Sequence, residues 1–324
     1  MDIKGFKMKL ALDCFSNVVK SKSKNLRIAL ENEGVKVVDW NEISSCDGGI
    51  IYNIHGSVTK RIQEANRIGK RLISLQEGMY AINWPKTLPG MKDECNRANL
   101  LKIHQLVWSP LEVDNYLYTG KEKGLVEAVG NPEHDDLFKE PNFTRASYNI
   151  PEDAYVICHL CQYAHPHGGP TSDQLNLMID HIKKLKLIND KVYIIHCLHP
   201  NQRIPLRYQH EPRVIPRVYA YPTFDVIRFS DLVITVSSTE AITAAILEKP
   251  LILYDISTSP ERWPFSSHGV GLHINNEKDL VYKVKSFVSG DFKMPKGYVN
   301  YKQIYGVDGN SSSRIADKII NYFK

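Results

Sequence analysis

The stretch SDLVITVSSTEAITAAILEKPLILY, residues 230–254, decides the fold. DLVITVSS (231–238) is a short, unbroken, β-rich run, which reads as a strand buried on both faces. TEAITAAILEK (239–249) follows as a helix, and its alanines at 241, 244 and 245 keep one face thin enough to lie close against a sheet. PLILYDI (250–256) is a second buried strand. Strand, helix and strand at this spacing imply a parallel sheet covered by helices.

The same alternation extends outward on both sides. Before it come a strand at 154–163 (AYVICHLCQY), a glycine turn at 165–170 (HPHGGP), a helix at 171–188 and a strand at 191–200 (KVYIIHCLHP). Thr171 with Gln174 fits a capping box at that helix start. After it come a strand at 269–274, a helix at 277–290 and a terminal helix, SSSRIADKIINYFK. The front of the chain repeats the pattern: strands at 8–15, 35–40, 48–56, 70–78, 104–110 and 126–132, with helices at 23–34, 57–69 and 111–118. Ser57 and Gly69 bracket the second of these helices. NPEHDDLFKEPNFTRASYNIPE (131–152) breaks the rhythm with three prolines and reads as a hinge. The expectation is an α/β protein of two Rossmann-like doubly wound domains, 1–145 and 150–305, facing each other across a cleft. Residues 306–324 form a helix that packs back on the first domain.

Composition narrows the function. The 324 residues are 43% hydrophobic and 24% charged, with a net charge of only +5, so neither long-range disorder nor a dense nucleic-acid-coating surface is expected. No apolar run is long enough to span a bilayer, which leaves peripheral attachment as the one membrane role open to the chain. The six cysteines, at 14, 46, 95, 158, 161 and 197, read as reduced core thiols of a cytoplasmic protein. Cys158 and Cys161 form a CxxC inside an apolar run without a second pair, so packing explains them better than zinc, and no metal or cofactor is expected.

Three segments carry chemistry. Ser237, Ser238 and Thr239 stand where a strand runs into a helix, so hydroxyls and free N–H groups together form a cradle for phosphate. Capping alone would explain one of them, but three in a row favour an anion. His199-Pro200 ends a strand, and an imidazole there can donate to a departing phosphate. Glu77 ends a strand in the first domain, and Gly78 lets the chain turn beside it; a carboxylate there can take the proton of an acceptor hydroxyl, although a solvated loop acid would look the same. Gly168 and Gly169 allow a donor close to the backbone, Arg217 reaches for a nucleobase or diphosphate, and Glu240 for a ribose. Asp13, Lys22 and Gly78 are assigned to the acceptor. His134, Asp135 and Asp136 suggest a helix start more than a metal site.

A His-Pro and a downstream Ser-Ser-Thr in the rear half, with an acidic-Gly pair in the front half, resemble the GT-B glycosyltransferases that use CMP-activated sugars, such as bacterial sialyltransferases and Kdo transferases. IIYNIHGSVTKRIQEANRIGKRLISLQEGMY (50–80) is similar to the Kdo-transferase pattern, except that Gln76 stands where those families carry a second acid. The resemblance implies Glu77 as catalytic base, His199 as a donor-phosphate contact and residues 237–239 as its cradle, with a nucleotide-sugar donor as co-substrate and a glycan hydroxyl as acceptor. GNPEHDDLF (130–138) and ERWP (261–264) also resemble UDP-N-acetylglucosamine 2-epimerases, and teichoic-acid polymerases, which use CDP-linked polyol donors, share a His-Pro and a serine pair. Alternatives are therefore such an epimerase, a CDP-polyol phosphotransferase, a phage-type DNA glycosyltransferase, and a nucleotide-sugar binding protein without turnover.

Overall fold

The computed structural model describes residues 6–14, 20, 23–54, 58–77, 91–162, 170–199, 211–217, 223–257, 265–291, 297 and 299–324, with only the backbone at 91, 94 and 217. Its contacts divide the chain into a first unit, Met1–Lys139 with Gln303–Lys324, and a second, Glu140–Lys302.

In the first unit, β1 (Met8–Leu12), β2 (Val35–Asp39), β3 (Gly48–Tyr52), β4 (Arg71–Leu75), β5 (His104–Val107) and β6 (Val126–Ala128) form one sheet in the order β2-β1-β3-β4-β5-β6. Every pairing is parallel. Helices α1 (Lys24–Asn32), α2 (Thr59–Arg67), α3 (Met91–Leu100) and α4 (Pro110–Tyr118) connect them. The chain reverses its direction of growth between β1 and β3, which makes the carboxyl ends of those strands the switch point. Apolar residues on both sheet faces, Leu10, Leu12 and Ile50 on one and Ala11, Ile51 and Leu72 on the other, build two cores.

The terminal helix, numbered α10 below and spanning Ser311–Phe323, belongs to this unit. Asp135 accepts the backbone N–H groups of Ser311 and Ser312 at 2.9 and 2.7 Å, filling the orphan donors of that helix start. An acid in 131–152 thus opens a helix, although the helix lies at the far end of the sequence. Phe323 lies against Gly48, where a Cβ would stand 2.0 Å from the ring. Arg71 holds the other side, donating to the Phe323 carbonyl at 2.7 Å.

In the second unit, β7 (Tyr155–Leu160), β8 (Val192–Cys197), β9 (Val214–Arg217), β10 (Leu232–Thr235), β11 (Leu251–Tyr254) and β12 (Leu272–Ile274) run in the order β12-β11-β10-β7-β8-β9, again all parallel. This is the doubly wound order in which the first strand sits centrally, and its switch point falls between β7 and β10. α5 (Ser172–Lys184) opens with the capping box read from Thr171 and Gln174. α6 (Thr223–Phe229), α7 (Ala241–Ile246), α8 (Glu277–Val288) and α9 (Tyr301–Ile304) follow, before α10. Arg145 locks the amino end of the sheet, pairing with Asp231 at 2.9 Å and donating to the Phe229 and Ala154 carbonyls. Two α/β units with parallel sheets are what the alternating pattern implied.

Four elements had no counterpart in the sequence reading: α3, β9, α6 and the short α9. α7 is also shorter than the 239–249 helix expected. Its six residues end at Ile246, and two residues on Glu248 has a φ of +53° and is followed by Lys249-Pro250, none of which can continue a helix.

Candidate functional site

The carboxyl edge of the second sheet gathers the rear-half candidates. Register pairs Leu160 with Cys197 on one side and with Thr235 on the other. Two residues beyond that level come Gln162, His199 and Ser237, which follow β7, β8 and β10. His199 and Ser237 follow strands two spacings apart, about 10 Å at the strand ends.

Local bonds shape the serine turn. The Thr235 hydroxyl donates to the Leu160 carbonyl at 3.0 Å and accepts the Ser238 N–H at 3.2 Å, tying the end of β10 to β7. Ser238 Oγ accepts the Glu240 N–H at 3.3 Å, while the Ser238 and Thr239 carbonyls accept from Ala241 and Ile242. Ser238 Oγ thus acts as an acceptor inside the turn, and the short α7 offers only a weak dipole. What the turn presents is a half-buried run of hydroxyls and amides, Ser237 to Glu240, at the switch point.

Sequence reading missed what lies just beneath this edge. His159 on β7 and His196 on β8 are cross-strand neighbours, and their Nδ1 atoms stand 2.8 Å apart. Burial holds His159 down to about 3 and His196 well below its usual range, so both rings are neutral at physiological pH. Cys161 Sγ lies 3.5 Å from His159 Nδ1, and the three donors fall within 4.8 Å of one another. Two imidazoles on one tetrahedral zinc would hold their nitrogens about 3.3 Å apart. The 2.8 Å separation is a hydrogen bond, one ring donating and the other accepting. Cys158 points to the opposite face, 3.8 Å from Cys197, so the CxxC pair does not converge. A signal was present in the sequence: His159 and His196 each interrupt an otherwise apolar strand.

The first unit supplies the carboxylates. Glu77 follows β4, and Asn53 follows β3 beside it. Asn53 Nδ2 donates to Glu77 Oε2 at 3.3 Å, and the Glu77 N–H donates back to Asn53 Oδ1 at 3.2 Å. Gln76, where a second acid was looked for, is buried and turned the other way; its Oε1 accepts the Trp108 N–H at 2.8 Å and so joins β4 to β5. Asp13, at the end of β1, is 2% exposed and 3.5 Å from the Arg61 guanidinium. Burial pushes its carboxyl up, Arg61 opposes this, and Glu64 adds to it. Arg61 and Trp40 both engage Glu64, so Asp13 belongs to a network reaching α2.

Lys22, Gly78, Gly168 and Gly169 are outside the described residues, as are the glycine turn around 165–169 and the ERWP segment; Arg217 ends β9, its side chain undescribed.

Comparison with known proteins gives a family. The family described as CDP-Glycerol:Poly(glycerophosphate) glycerophosphotransferase matches residues 113–321. Among solved structures, a Listeria monocytogenes protein assigned as a UDP-N-acetylglucosamine 2-epimerase superposes with a TM-score of 0.71 at 15% identity, covering 98% of this chain and 97% of the other. The wall teichoic acid polymerase TagF, in a histidine variant, gives 0.69 at 14% identity over 98% and 89%. The UDP-N-acetylglucosamine 2-epimerase of Neisseria meningitidis bound to UDP-GlcNAc gives 0.68 at 13% identity over 97% and 99%. At such identities these likenesses establish the GT-B-like fold alone. No curated protein matches the chain significantly.

Proposed function

Because this chain belongs to the CDP-glycerol:poly(glycerophosphate) glycerophosphotransferase family, we propose that it transfers a polyol phosphate from a CDP-linked donor to a hydroxyl acceptor. One observation supports the reading: the family match spans His199 and Ser237–Thr239, which follow β8 and β10, the two strands on either side of β7, at the carboxyl edge of the second sheet. The family match favours this chemistry, one of the alternatives read from the sequence, over the sugar transfer expected from the CMP-sugar resemblance.

The acceptor oxygen attacks the β-phosphorus of the donor. A new P–O bond forms there, and the bond to the bridging oxygen breaks, so that CMP leaves with the charge. Glu77 takes the acceptor's proton, a role worth roughly 10²–10⁴ in rate. His199, with the hydroxyls and amides of 237–239, holds the diphosphate and stabilises the charge that develops on the leaving group. Neither role needs a metal among the residues named.

The test incubates the protein with CDP-glycerol, a longer CDP-polyol, a CMP-sugar or UDP-GlcNAc, with and without a glycerophosphate-primed acceptor, and measures nucleotide release. CMP appearing from a CDP-polyol only when acceptor is present supports the proposal. Consumption of the CMP-sugar alone, an epimer of UDP-GlcNAc without acceptor, or no turnover contradicts it.

A further inference from the structure

Asn53 carries an unusual amount of the geometry around Glu77. Its φ of +63° places it in the left-handed region, which asparagine tolerates better than other residues with a Cβ but which still costs energy at a strand end. Four bonds hold it there. Its N–H donates to the Leu75 carbonyl at 2.6 Å, and its carbonyl accepts the Ser74 hydroxyl at 2.7 Å. Its carboxamide meets Glu77 twice, accepting from the Glu77 N–H and donating to Oε2. A backbone turn alone would need only the first two. The carboxamide adds a clasp that fixes both the start of the residue and one oxygen of its carboxylate, leaving the side chain little freedom to rotate.

We infer that Asn53 is the positioning residue of the transfer reaction, orienting the Glu77 carboxylate toward the acceptor hydroxyl through this two-point clasp. The inference rests on the reading of Glu77 as the base. It distinguishes Glu77 from an ordinary solvated loop acid, whose carboxylate would have no such clasp.

Four variants of the full chain, two of them at Asn53 alone, are assayed with CDP-glycerol and a glycerophosphate-primed acceptor to test it. Asn53→Asp keeps the acceptor for the Glu77 N–H and tolerates the same backbone, but sets an oxygen against Oε2 in place of the donor. Asn53→Gly keeps the left-handed backbone and removes the side chain. Both are expected to lower kcat about tenfold or more while KM for CDP-glycerol and the melting temperature stay near wild type. In a Glu77→Ala background, Asn53→Asp is expected to add nothing. Wild-type turnover in both Asn53 variants, with Glu77→Ala inactive, overturns the positioning role and leaves the base in place. A fall in melting temperature with parallel losses in kcat and KM makes Asn53 a folding residue and also overturns it. Full activity of Glu77→Ala, or no turnover of CDP-glycerol by the wild type, removes the parent reading and this one with it.

Discussion

At the scale of single residues, the proposal divides labour between an acid in the first unit and an imidazole in the second. Glu77→Gln keeps size and hydrogen bonding but cannot take a proton, so kcat should fall roughly 10²–10³-fold while CDP affinity, measured by calorimetry, is retained. His199→Ala should lower turnover to a similar degree, and because it touches the donor it should also weaken CDP binding. Unchanged CDP affinity in that variant would remove His199 from the donor contact. The His159–His196 pair makes a prediction about pH. Both rings are held neutral by burial, His159 down to about 3, whereas an unfolded histidine protonates near 6.5. Below about 6.5 the unfolded chain binds protons that the fold cannot, so stability rises with pH and is lost on acidification from about 6.5 towards 3. His159 alone accounts for about 2 kcal/mol by pH 5. Urea midpoints should therefore fall between pH 7 and pH 5, and His159→Phe should flatten that slope; an equal slope in both proteins would contradict the assignment.

At the scale of elements, the terminal helix α10 depends on residues far from it in sequence. Asp135→Ala removes the acceptor of two helix-start amides and should cost about 2 kcal/mol, read as a lower urea midpoint. Gly48→Ala drives a methyl into the Phe323 ring and should cost about 1–3 kcal/mol by the same measurement. A stable Gly48→Ala would mean that the ring moves aside freely. These elements also show where the sequence was readable. β10 and β11 are unbroken apolar runs, and α5 carries a complete capping box, so period and caps agreed with tertiary packing. β9 was not legible because Pro216 sits inside it, and proline is tolerated there since β9 is an edge strand. α3 escaped because its buried positions, Cys95 and Ala98, are small and give a weak apolar rhythm. α7 was overextended because Leu247 and Glu248 are good helix formers ahead of Pro250, and the stop at Ile246 shows only in the backbone turning to positive φ at Glu248. In the site, His199 and the serine run were visible as strand-end punctuation. Asn53 was not, because a clasp between residues 24 positions apart exists only once β3 and β4 have paired.

At the scale of the whole molecule, two parallel sheets of different winding order each bring candidate side chains to the carboxyl ends of their strands, and among the described residues no helix is long and apolar enough to cross a membrane. The first sheet offers the Glu77 carboxylate, while Asp13, assigned to the acceptor from sequence, is buried against Arg61. The second offers neutral hydroxyls, amides and an imidazole. That asymmetry fits an acceptor that must lose a proton and a donor that must shed a charged phosphate. The most direct test is a crystal structure of the full chain with CDP-glycerol. The account predicts a diphosphate within hydrogen-bonding distance of His199 and of the Ser237–Thr239 turn; a nucleotide bound elsewhere, with both groups turned away from it, would contradict the account.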